Sequence, residues 1–384
     1  MKVSGKIILK PGREAAVLRR HPWVFSGGIA RKDKLDNGAW VEVMDSKEST
    51  LGFGHYQDGS IMVRIVAFGA ILSPTVYTDK LKLAFQLRLK AGIMQAGTTC
   101  YRLVHGEGDG LPGLIIDFYH QVAVIQAHSE GMHLDRHLIA EGLKSILGAT
   151  LNAIYYKNTN AHAGEYLFGA ALTPIAVKEH GHSFLVDWEA GQKTGFFLDQ
   201  RENRNLLRQY VAGKRVLNTF CYTGGFSVYA LNGDAALVHS VDASAQAIDI
   251  CRKNLELNSY DSNTHTCFVA DTFDFLKQAD HYDVIVLDPP AFAKSIKSKH
   301  TATQAYKRLN IAGLKALAPN GILFTFSCSQ VIDDVLFYNT VAAAAIETGR
   351  NIRVLHKLEQ GPDHPTNIYH PEGHYLKGLV LFVE

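Results

Sequence analysis

The sequence predicts an α/β protein built on a doubly wound, Rossmann-like sheet, preceded by a small β-barrel and an α+β connecting domain. Three observations carry this prediction. From Arg215 onward, predicted strands alternate with predicted helices, which is typical of a parallel sheet covered by helices on both faces. Within that region the apolar run Val284–Leu287 stops at Asp-Pro-Pro, as expected of a buried central strand. The amino-terminal residues instead form short β segments between glycines, which indicates a barrel.

Length and composition bound the class of protein. A chain of 384 residues exceeds one ordinary domain, so we predict a barrel over residues 1–72, a connecting domain over 73–178 and the doubly wound domain over 179–384. Hydrophobic residues make up 47% of the chain and charged residues 20%, which is typical of soluble globular proteins. No apolar run reaches the roughly 18 residues of a membrane span, and Met1–Ser4 does not begin a signal peptide. We therefore expect a cytoplasmic protein without a membrane partner.

The cysteines and histidines do not predict a metal site. The five cysteines are scattered and form no CxxC pair, which argues against a disulfide framework and against a zinc or iron–sulfur cluster. His364, His370 and His374 are close in sequence but lack metal-ligand spacing, so we interpret them as polar loop residues.

The barrel segment is strongly basic. Its predicted strands are Lys6–Leu9, Trp40–Met44, Leu51–Tyr56 and Ile61–Val66. Residues 1–35 carry nine lysines and arginines, Arg19 and Arg20 among them, against two acidic residues, although the whole chain has a net charge of only +2. Trp23 and Phe25 lie beside these charges and could either stack on bases or fill a corner of the core. A local excess of this size favours a nucleic-acid partner.

A second basic segment, residues 291–310, directly follows the Asp-Pro-Pro sequence. It contains five basic residues and no acidic one: Lys294, Lys297, Lys299, Lys307 and Arg308. Such a loop is usually only solvated, but its position beside a candidate site supports the same partner.

The connecting domain begins with a helix. The spacing of apolar residues predicts this helix over Thr78–Ala96. The later elements are strands at Leu114–Phe118, Val122–Gln126 and Ala153–Tyr156, a helix at Asp135–Leu147 and a hairpin-like segment at Pro174–Phe184.

The doubly wound domain contains five predicted strands. They are Arg215–Asn218, Ala236–Val241, Thr266–Val269, Val284–Leu287 and Gly321–Phe326, with helices at Phe226–Leu231, Ala245–Asn258, Thr272–Gln278, Thr303–Leu317 and Val331–Thr348. Carboxyl ends of parallel strands meet at one edge of a sheet, where open α/β sheets bind their ligands.

Polar groups follow the first three of these strands. Asn218 precedes a loop that contains Gly224, Asp242 ends the second strand, and Asp271 follows the third. Each acid taken alone could simply cap a helix. Together the three groups suit the ribose and adenine of an adenosyl ligand. Neither GxGxxG nor the Lys-Ser/Thr of a P-loop is present, so a nucleoside without phosphates, S-adenosylmethionine, is the expected cofactor.

The fourth and fifth strands predict the reaction. Asp288-Pro289-Pro290-Ala291-Phe292 could hold a flipped base between a carboxylate and an aromatic ring, or could be only a capped turn. Cys328 follows the fifth strand and is expected at the same edge as Asp288, although a cysteine there is often a small buried hydrophobe. Attack of a thiolate on C6 of a pyrimidine would activate C5 for methylation.

Five motifs resemble one family over nearly the whole chain. They are Asn-Thr-Phe-Cys-Tyr-Thr-Gly-Gly-Phe at 218–226, Asp-Pro-Pro-Ala-Phe at 288–292, Thr-Phe-Ser-Cys-Ser at 325–329, Gln-Lys-Thr-Gly-Phe-Phe-Leu-Asp-Gln-Arg at 192–201, and Asp-His-Pro with Tyr-His-Pro-Glu-Gly-His-Tyr-Leu-Lys-Gly at 363–378. The chain thus resembles the RlmI-like large-subunit rRNA cytosine-C5 methyltransferases. The resemblance implies a PUA-like RNA-binding barrel, a connecting domain and a class I S-adenosylmethionine-dependent methyltransferase domain.

The resemblance also implies site residues. Cys328 matches the nucleophile and Asp288 the acid that contacts the base. The positions that line the cofactor site match Gln200, Asn218, Phe220, Tyr222, Asp242 and Asp271. With the motifs above, we expect the RNA to contact Pro289, Phe292, Lys294, Arg19 and Arg20. The expected partner is large-subunit rRNA, and a homodimer is left open.

One departure keeps alternatives open. Many RNA cytosine-C5 enzymes carry a second cysteine after the proline of the Asp-Pro motif, where this chain has Pro290-Ala291. Either another base completes the reaction or the reaction differs. Asp-Pro-Pro with an aromatic also suits methylation of an exocyclic amine of guanine or adenine, and a non-catalytic RNA-binding factor is a further alternative.

Overall fold

The computed structural model describes residues 1–158, 164–279, 281–293 and 295–384, and the chain divides into two compact units. The first unit comprises residues 1–177, 186–196 and 362–373, and the second comprises 178–185, 197–361 and 374–384. None of the helices in the described parts of the chain is long and apolar enough to span a bilayer.

The first unit opens with a six-stranded sheet. Its elements are β1 (Gly5–Leu9), α1 (Glu14–Leu18), β2 (Trp23–Phe25), β3 (Ile29–Lys32), β4 (Trp40–Met44), β5 (Thr50–Tyr56) and β6 (Ile61–Phe68). The strand order is β2-β6-β5-β4-β1-β3, antiparallel except for the β1–β4 pair. Buried apolar side chains such as Ile7, Val41 and Val63 fill its interior. The four predicted strands are confirmed, whereas β2, β3 and α1 are too short for a periodic signal.

A five-stranded sheet follows in the same unit. Its elements are α2 (Val76–Lys90), β7 (Cys100–His105), β8 (Leu114–Tyr119), β9 (Val122–Ala127), α3 (Glu130–Leu134), α4 (Arg136–Leu147), β10 (Ala153–Tyr156) and β11 (Glu165–Gly169), with the strand order β11-β10-β9-β8-β7. Helix α2 stops at Lys90, six residues before the predicted end. Gly92 follows in a left-handed conformation, with φ of +69°, which terminates helices.

The two sheets of the first unit also share a hydrophobic cluster. Trp40, Phe53 and Val66 of the barrel pack in the same cluster as Tyr77 and Leu81 of α2. The proposed boundary between residues 72 and 73 thus crosses a shared cluster, although the barrel also has an interior cluster of its own, and the three-domain division stays a prediction.

Asp135 accepts hydrogen bonds from a residue of the barrel and from a residue of helix α2. Its Oδ2 accepts from Trp40 Nε1 at 2.7 Å and from Tyr77 OH at 2.5 Å, and it lies 3.1 Å from Nε2 of the buried His55. Burial alone would raise the pKa of Asp135, but the hydrogen bonds from His55, Tyr77 and Trp40 outweigh it and hold the pKa below its usual value.

The second unit contains the doubly wound sheet. After the hairpin β12 (Ile175–Glu179) and β13 (His182–Val186), the elements are α5 (Arg201–Leu207), β14 (Arg215–Thr219), α6 (Gly225–Asn232), β15 (Leu237–Asp242), α7 (Ala245–Leu257), β16 (His265–Val269), α8 (Thr272–Gln278), β17 (Tyr282–Leu287), α9 (Lys299–Ala316), β18 (Leu317–Ser327), α10 (Asp334–Thr348), β19 (Ile352–Leu358) and β20 (Lys377–Val383). The strand order is β16-β15-β14-β17-β18-β20-β19.

The predicted Rossmann-like parallel sheet is confirmed, with two additions. Strands β14 to β18 are parallel, and β20 then pairs antiparallel with both β18 and β19. The sequence analysis assigned neither β19 nor β20. Helix α9 begins at Lys299 and β18 at Leu317, each four residues before the prediction.

We expect Asp135→Ala to destabilise the first unit by about 2–4 kcal/mol, because two buried donors lose their acceptor. All three tryptophans, Trp23, Trp40 and Trp188, lie in this unit, so tryptophan fluorescence during urea denaturation reports on it. The exposed Asp36→Ala serves as the control.

The same network predicts a pH dependence. Because the folded-state pKa of Asp135 is depressed, its contribution is present above the usual carboxyl pKa of about 4 and is lost as the pH falls through the lower folded-state value. Wild-type stability should therefore fall in acid more steeply than that of Asp135→Ala. Equal stability of the two proteins at pH 7 would refute the role of Asp135.

Candidate functional site

The candidate site lies at the carboxyl edge of the parallel strands in the second unit. β14 pairs with β15 on one side and β17 on the other, so the strand order reverses at β14. Open α/β sheets form their ligand crevice at such a reversal. Asn218 lies at the end of β14 and Asp242 at the end of β15, while Asp288 and Cys328 directly follow β17 and β18.

The loop after β14 is held in an uncommon backbone conformation. Phe220 and Tyr222 have φ values of +51° and +48°, which is rare for residues with a side chain. Gly224 has φ of +82°, and a Cβ on it would lie 2.5 Å from Cys251 Sγ, so only glycine fits. Such strain persists where the surrounding structure enforces it, most often at binding sites.

Asn218 presents a buried acceptor. Its Nδ2 donates to Ser227 Oγ at 2.8 Å, but its Oδ1 is buried and has no hydrogen-bond partner among the described residues. A buried oxygen without a donor costs roughly 1–3 kcal/mol. A ligand that brings a donor to this oxygen would remove that cost.

The two acids at the next strand ends have different local partners. Asp242 accepts from Tyr222 N–H at 2.9 Å and from Ser244 N–H at 2.8 Å, and thereby connects the β14 loop to the start of α7. Asp271 is the N-cap of α8 and accepts from Asp274 N–H at 3.1 Å. The capping interpretation of Asp271 is therefore observed, and it leaves a possible adenine contact as a prediction.

Asp288 is oriented by a chain of two amides. Gln200 Nε2 donates to Asp288 Oδ1 at 2.9 Å, and Asn203 Nδ2 donates to Gln200 Oε1 at 2.6 Å. Gln200, expected among the cofactor-lining residues, thus directly contacts the carboxylate of the Asp-Pro-Pro turn. The sequence analysis missed Asn203, although it lies one turn after Gln200 at the start of α5.

The residues after Asp288 lie around the aromatic pair Phe292 and Tyr306. Pro289 is buried, and Phe292 is half-buried with its ring centroid 4.7 Å from that of Tyr306, at an interplanar angle of 51°. Burial raises the pKa of Tyr306, so its hydroxyl stays neutral. Lys294 lies outside the described residues.

Cys328 adjoins the same turn. Its Sγ lies 3.8 Å from the carbonyl oxygen of Pro289, and the side chain is partly exposed. The next residue, Ser329, is buried, with its Oγ 3.3 Å from Ala293 N and 3.1 Å from Tyr306 OH. A thiol and a carboxylate-bearing turn thus meet at one edge of the sheet, an arrangement that suits nucleophilic catalysis on a planar ring.

The basic residues of the first unit are largely exposed. Arg19 and Arg20 lie on the surface, whereas Arg31 forms an ion pair with Glu48 at 3.1 Å. Phe25 is 49% exposed, while Trp23 donates from Nε1 to Glu107 at 2.8 Å. Of the two aromatics, Phe25 is the one available to a base.

A metal centre was not expected from the sequence, and that expectation stays a prediction. Among the described residues, one group of possible ligands lies in the first unit, where atoms of His21, His370 and Glu372 are within 4.8 Å of one another. Sequence spacing could not have indicated this group, because His21 lies far from His370 and Glu372 in the sequence.

Comparisons with known proteins show the family to which the chain belongs. Residues 136–379 match a family model described as S-adenosylmethionine-dependent methyltransferase, and residues 7–68 match a PUA-like domain. The chain is 41% identical to ribosomal RNA large subunit methyltransferase I of Aeromonas hydrophila, and the match covers 99% of each protein.

Two solved structures are similar over nearly the whole chain. A candidate S-adenosylmethionine-dependent methyltransferase from Streptococcus mutans superimposes with a TM-score of 0.86 at 25% identity, covering 98% of this chain and 99% of that one. SMU.776, described as a candidate methyltransferase in complex with SAH, gives a TM-score of 0.87 at 24% identity with the same coverage, which supports the fold.

We expect Asp242→Asn to weaken binding of SAH, the demethylated cofactor, by about 10- to 100-fold, which corresponds to ~1.4–2.8 kcal/mol. The amide can accept at only one of its two terminal atoms, so it cannot hold the β14 loop and also accept from ribose hydroxyls. Isothermal titration calorimetry measures the change. Asp249→Asn, an exposed acid on α7, is the matched control, and equal affinity of the two variants would contradict the assignment.

Proposed function

Because the chain belongs to the S-adenosylmethionine-dependent methyltransferase family that includes ribosomal RNA large subunit methyltransferase I, we propose that it methylates C5 of a cytosine in large-subunit ribosomal RNA. The observation that carries the proposal is the 3.8 Å distance between Cys328 Sγ and the carbonyl oxygen of Pro289. This contact joins the candidate nucleophile to the turn that presents Asp288.

Asn218, Phe220, Tyr222, Gly224, Asp242 and Asp271 are the proposed cofactor-binding residues, with Gln200 at the boundary to the base. The unpartnered Oδ1 of Asn218 and the left-handed backbone of the β14 loop support this assignment. When bound, S-adenosylmethionine supplies an electrophilic methyl group.

Cys328 forms a covalent bond to the base in this mechanism. The thiolate attacks C6 of the cytosine, and the electron pair of the C5–C6 double bond becomes available at C5 for the methyl group. Asp288, oriented by Gln200, faces the N3 side of the ring, and in its protonated form it donates to N3 and so neutralises the negative charge that thiolate addition places on the ring. Phe292 and Pro289 provide the apolar walls against which a flipped base rests.

The last step restores the aromatic ring. A base removes the proton from C5, the C5–H electrons re-form the double bond, and the C6–S bond breaks to return the thiolate of Cys328. Ala291 stands where many related enzymes have a second cysteine. The proton therefore leaves through a group other than a cysteine at that position.

RNA binding is assigned to the PUA-like domain of the first unit. The exposed arginines Arg19 and Arg20 would contact phosphates, which contributes affinity without sequence information. The partly exposed ring of Phe25 would stack on an unpaired base.

Cys328→Ala should abolish methyl transfer to RNA, and an RNA with 5-fluorocytidine at the target should trap a covalent complex with the wild-type protein, because fluorine cannot leave as the proton does. Labelled cofactor and denaturing gels measure the two results. Cys267→Ala, which removes another partly exposed thiol, is the control and should keep activity.

Each alternative has its own signature in this experiment. Full activity of Cys328→Ala combined with loss in Asp288→Ala would refute C5 chemistry and favour methylation of an exocyclic amine. Absence of any turnover with wild-type protein on large-subunit RNA that lacks the modification would favour a non-catalytic RNA-binding factor.

Arg19→Gln with Arg20→Gln should weaken RNA binding and lower the log–log salt slope by about two, roughly one for each lost phosphate contact. Fluorescence anisotropy at several salt concentrations measures both values. Arg31→Gln is the control within the same patch and should have a smaller effect, because Glu48 already pairs with Arg31. A slope unchanged in the double variant would show that the two arginines are only solvated.

A further inference from the structure

Lys377 is a buried cation without a carboxylate partner. Its side chain begins β20, the residue is 3% exposed, and Nζ donates to the carbonyl oxygen of Ser329 at 2.9 Å. Among the described residues, no carboxylate oxygen lies within 4.0 Å of Nζ. Lysines are almost never fully buried unless paired, so this one requires an explanation.

The sheet directs Lys377 toward the segment that contains Cys328. In the antiparallel pairing of β18 with β20, Lys377 stands opposite Ser327. Its Nζ reaches beyond this pair to Ser329, so the lysine spans the residues on both sides of the cysteine.

Burial lowers the pKa of Lys377, and the carboxylates of Asp334 and Asp333 oppose this effect without cancelling it. An additional negative charge close to Nζ would make the buried ammonium group more favourable. A thiolate at Cys328 would be such a charge.

We propose that Lys377 is a positioning residue that holds Cys328 in the thiolate form by supplying the opposite charge from β20. The inference rests on the proposed role of Cys328 as nucleophile. The S–H bond breaks, the proton leaves to solvent, and no bond forms between the two residues. The thiolate then adds to C6 of the base. When elimination later breaks the C6–S bond, the same ammonium group stabilises the sulfur as the leaving group.

The other charged groups around the pair do not replace Lys377. Asp333 lies 3.6 Å from Lys299, and Asp334 lies 3.4 Å from His374, so both carboxylates at the start of α10 have partners other than Lys377. Tyr306 on α9 stays neutral because burial raises its pKa. Asp288, at the adjoining turn, accepts from Gln200 Nε2 at 2.9 Å and supplies no positive charge to this site.

The test is the pH dependence of alkylation of Cys328 by iodoacetamide, in full-length protein without RNA or cofactor. Peptide mass spectrometry separates Cys328 from the other four cysteines. In wild type, half-maximal reactivity should come below about 8.5, the value for a free cysteine. In Lys377→Met the midpoint should rise by about one pH unit or more, which leaves roughly tenfold less thiolate at pH 7.

Two further variants separate charge from structure. Lys377→Arg keeps the positive charge and should keep a midpoint closer to wild type than to Lys377→Met. Lys315→Met removes an exposed lysine from α9 and should leave the midpoint unchanged. Circular dichroism and thermal melting establish that each variant is folded.

If half-maximal alkylation of Cys328 in the wild-type protein occurs at or above the pH expected for a free cysteine, the proposal is overturned. This measurement uses only the wild-type protein, so it does not require that any variant folds. The proposal is also overturned if Lys377→Met is folded and its Cys328 is alkylated with the same midpoint pH as in the wild-type protein. If the midpoint shifts as expected while Cys328→Ala still methylates RNA, the Lys377–Cys328 pair stands and the C5 mechanism fails. If Cys328→Ala is inactive but the midpoint does not shift, the C5 mechanism stands and the role of Lys377 fails.

Discussion

The hydrogen-bonded pairing of β17 with β14 on one side and β18 on the other is the constraint on which the candidate site depends. In this register Leu287 stands beside Thr219 and Thr325, so the chain leaves the sheet at nearly the same level on all three strands. Asp288 then falls next to the strained β14 loop and next to Cys328. A shift of one residue in β17 would turn its buried side chains to the opposite face and displace the Asp-Pro-Pro turn.

Around this edge, the side chains that are proposed to act in the reaction are held by hydrogen bonds from neighbouring residues. Gln200 orients Asp288 and is itself held by Asn203, while the backbone amide of Tyr222 ties the β14 loop to Asp242. Functional groups held within a fraction of an ångström perform best when their supports are themselves fixed. The site is therefore supported by contacts between α5, β15 and β17 that lie far apart in sequence.

In the first unit, hydrogen bonds between distant residues stabilise the fold. Asp135 accepts hydrogen bonds from the barrel residue Trp40 and the helix residue Tyr77, so one carboxylate connects two sheets through a common core. A single carboxylate thus links residues of this unit that lie far apart in the sequence.

The sequence by itself determined the alternation of strands and helices, the strand that ends at Asp288, and the position of Cys328 after the next strand. These features follow from local burial, because apolar runs and proline turns are recorded in consecutive residues. The tertiary structure alone decided that β20 inserts antiparallel between β18 and β19, that Gln200 contacts Asp288, and that Lys377 donates to Ser329, the residue after Cys328. Strand direction and long-range partners depend on how the whole sheet pairs, and no local periodicity encodes that choice.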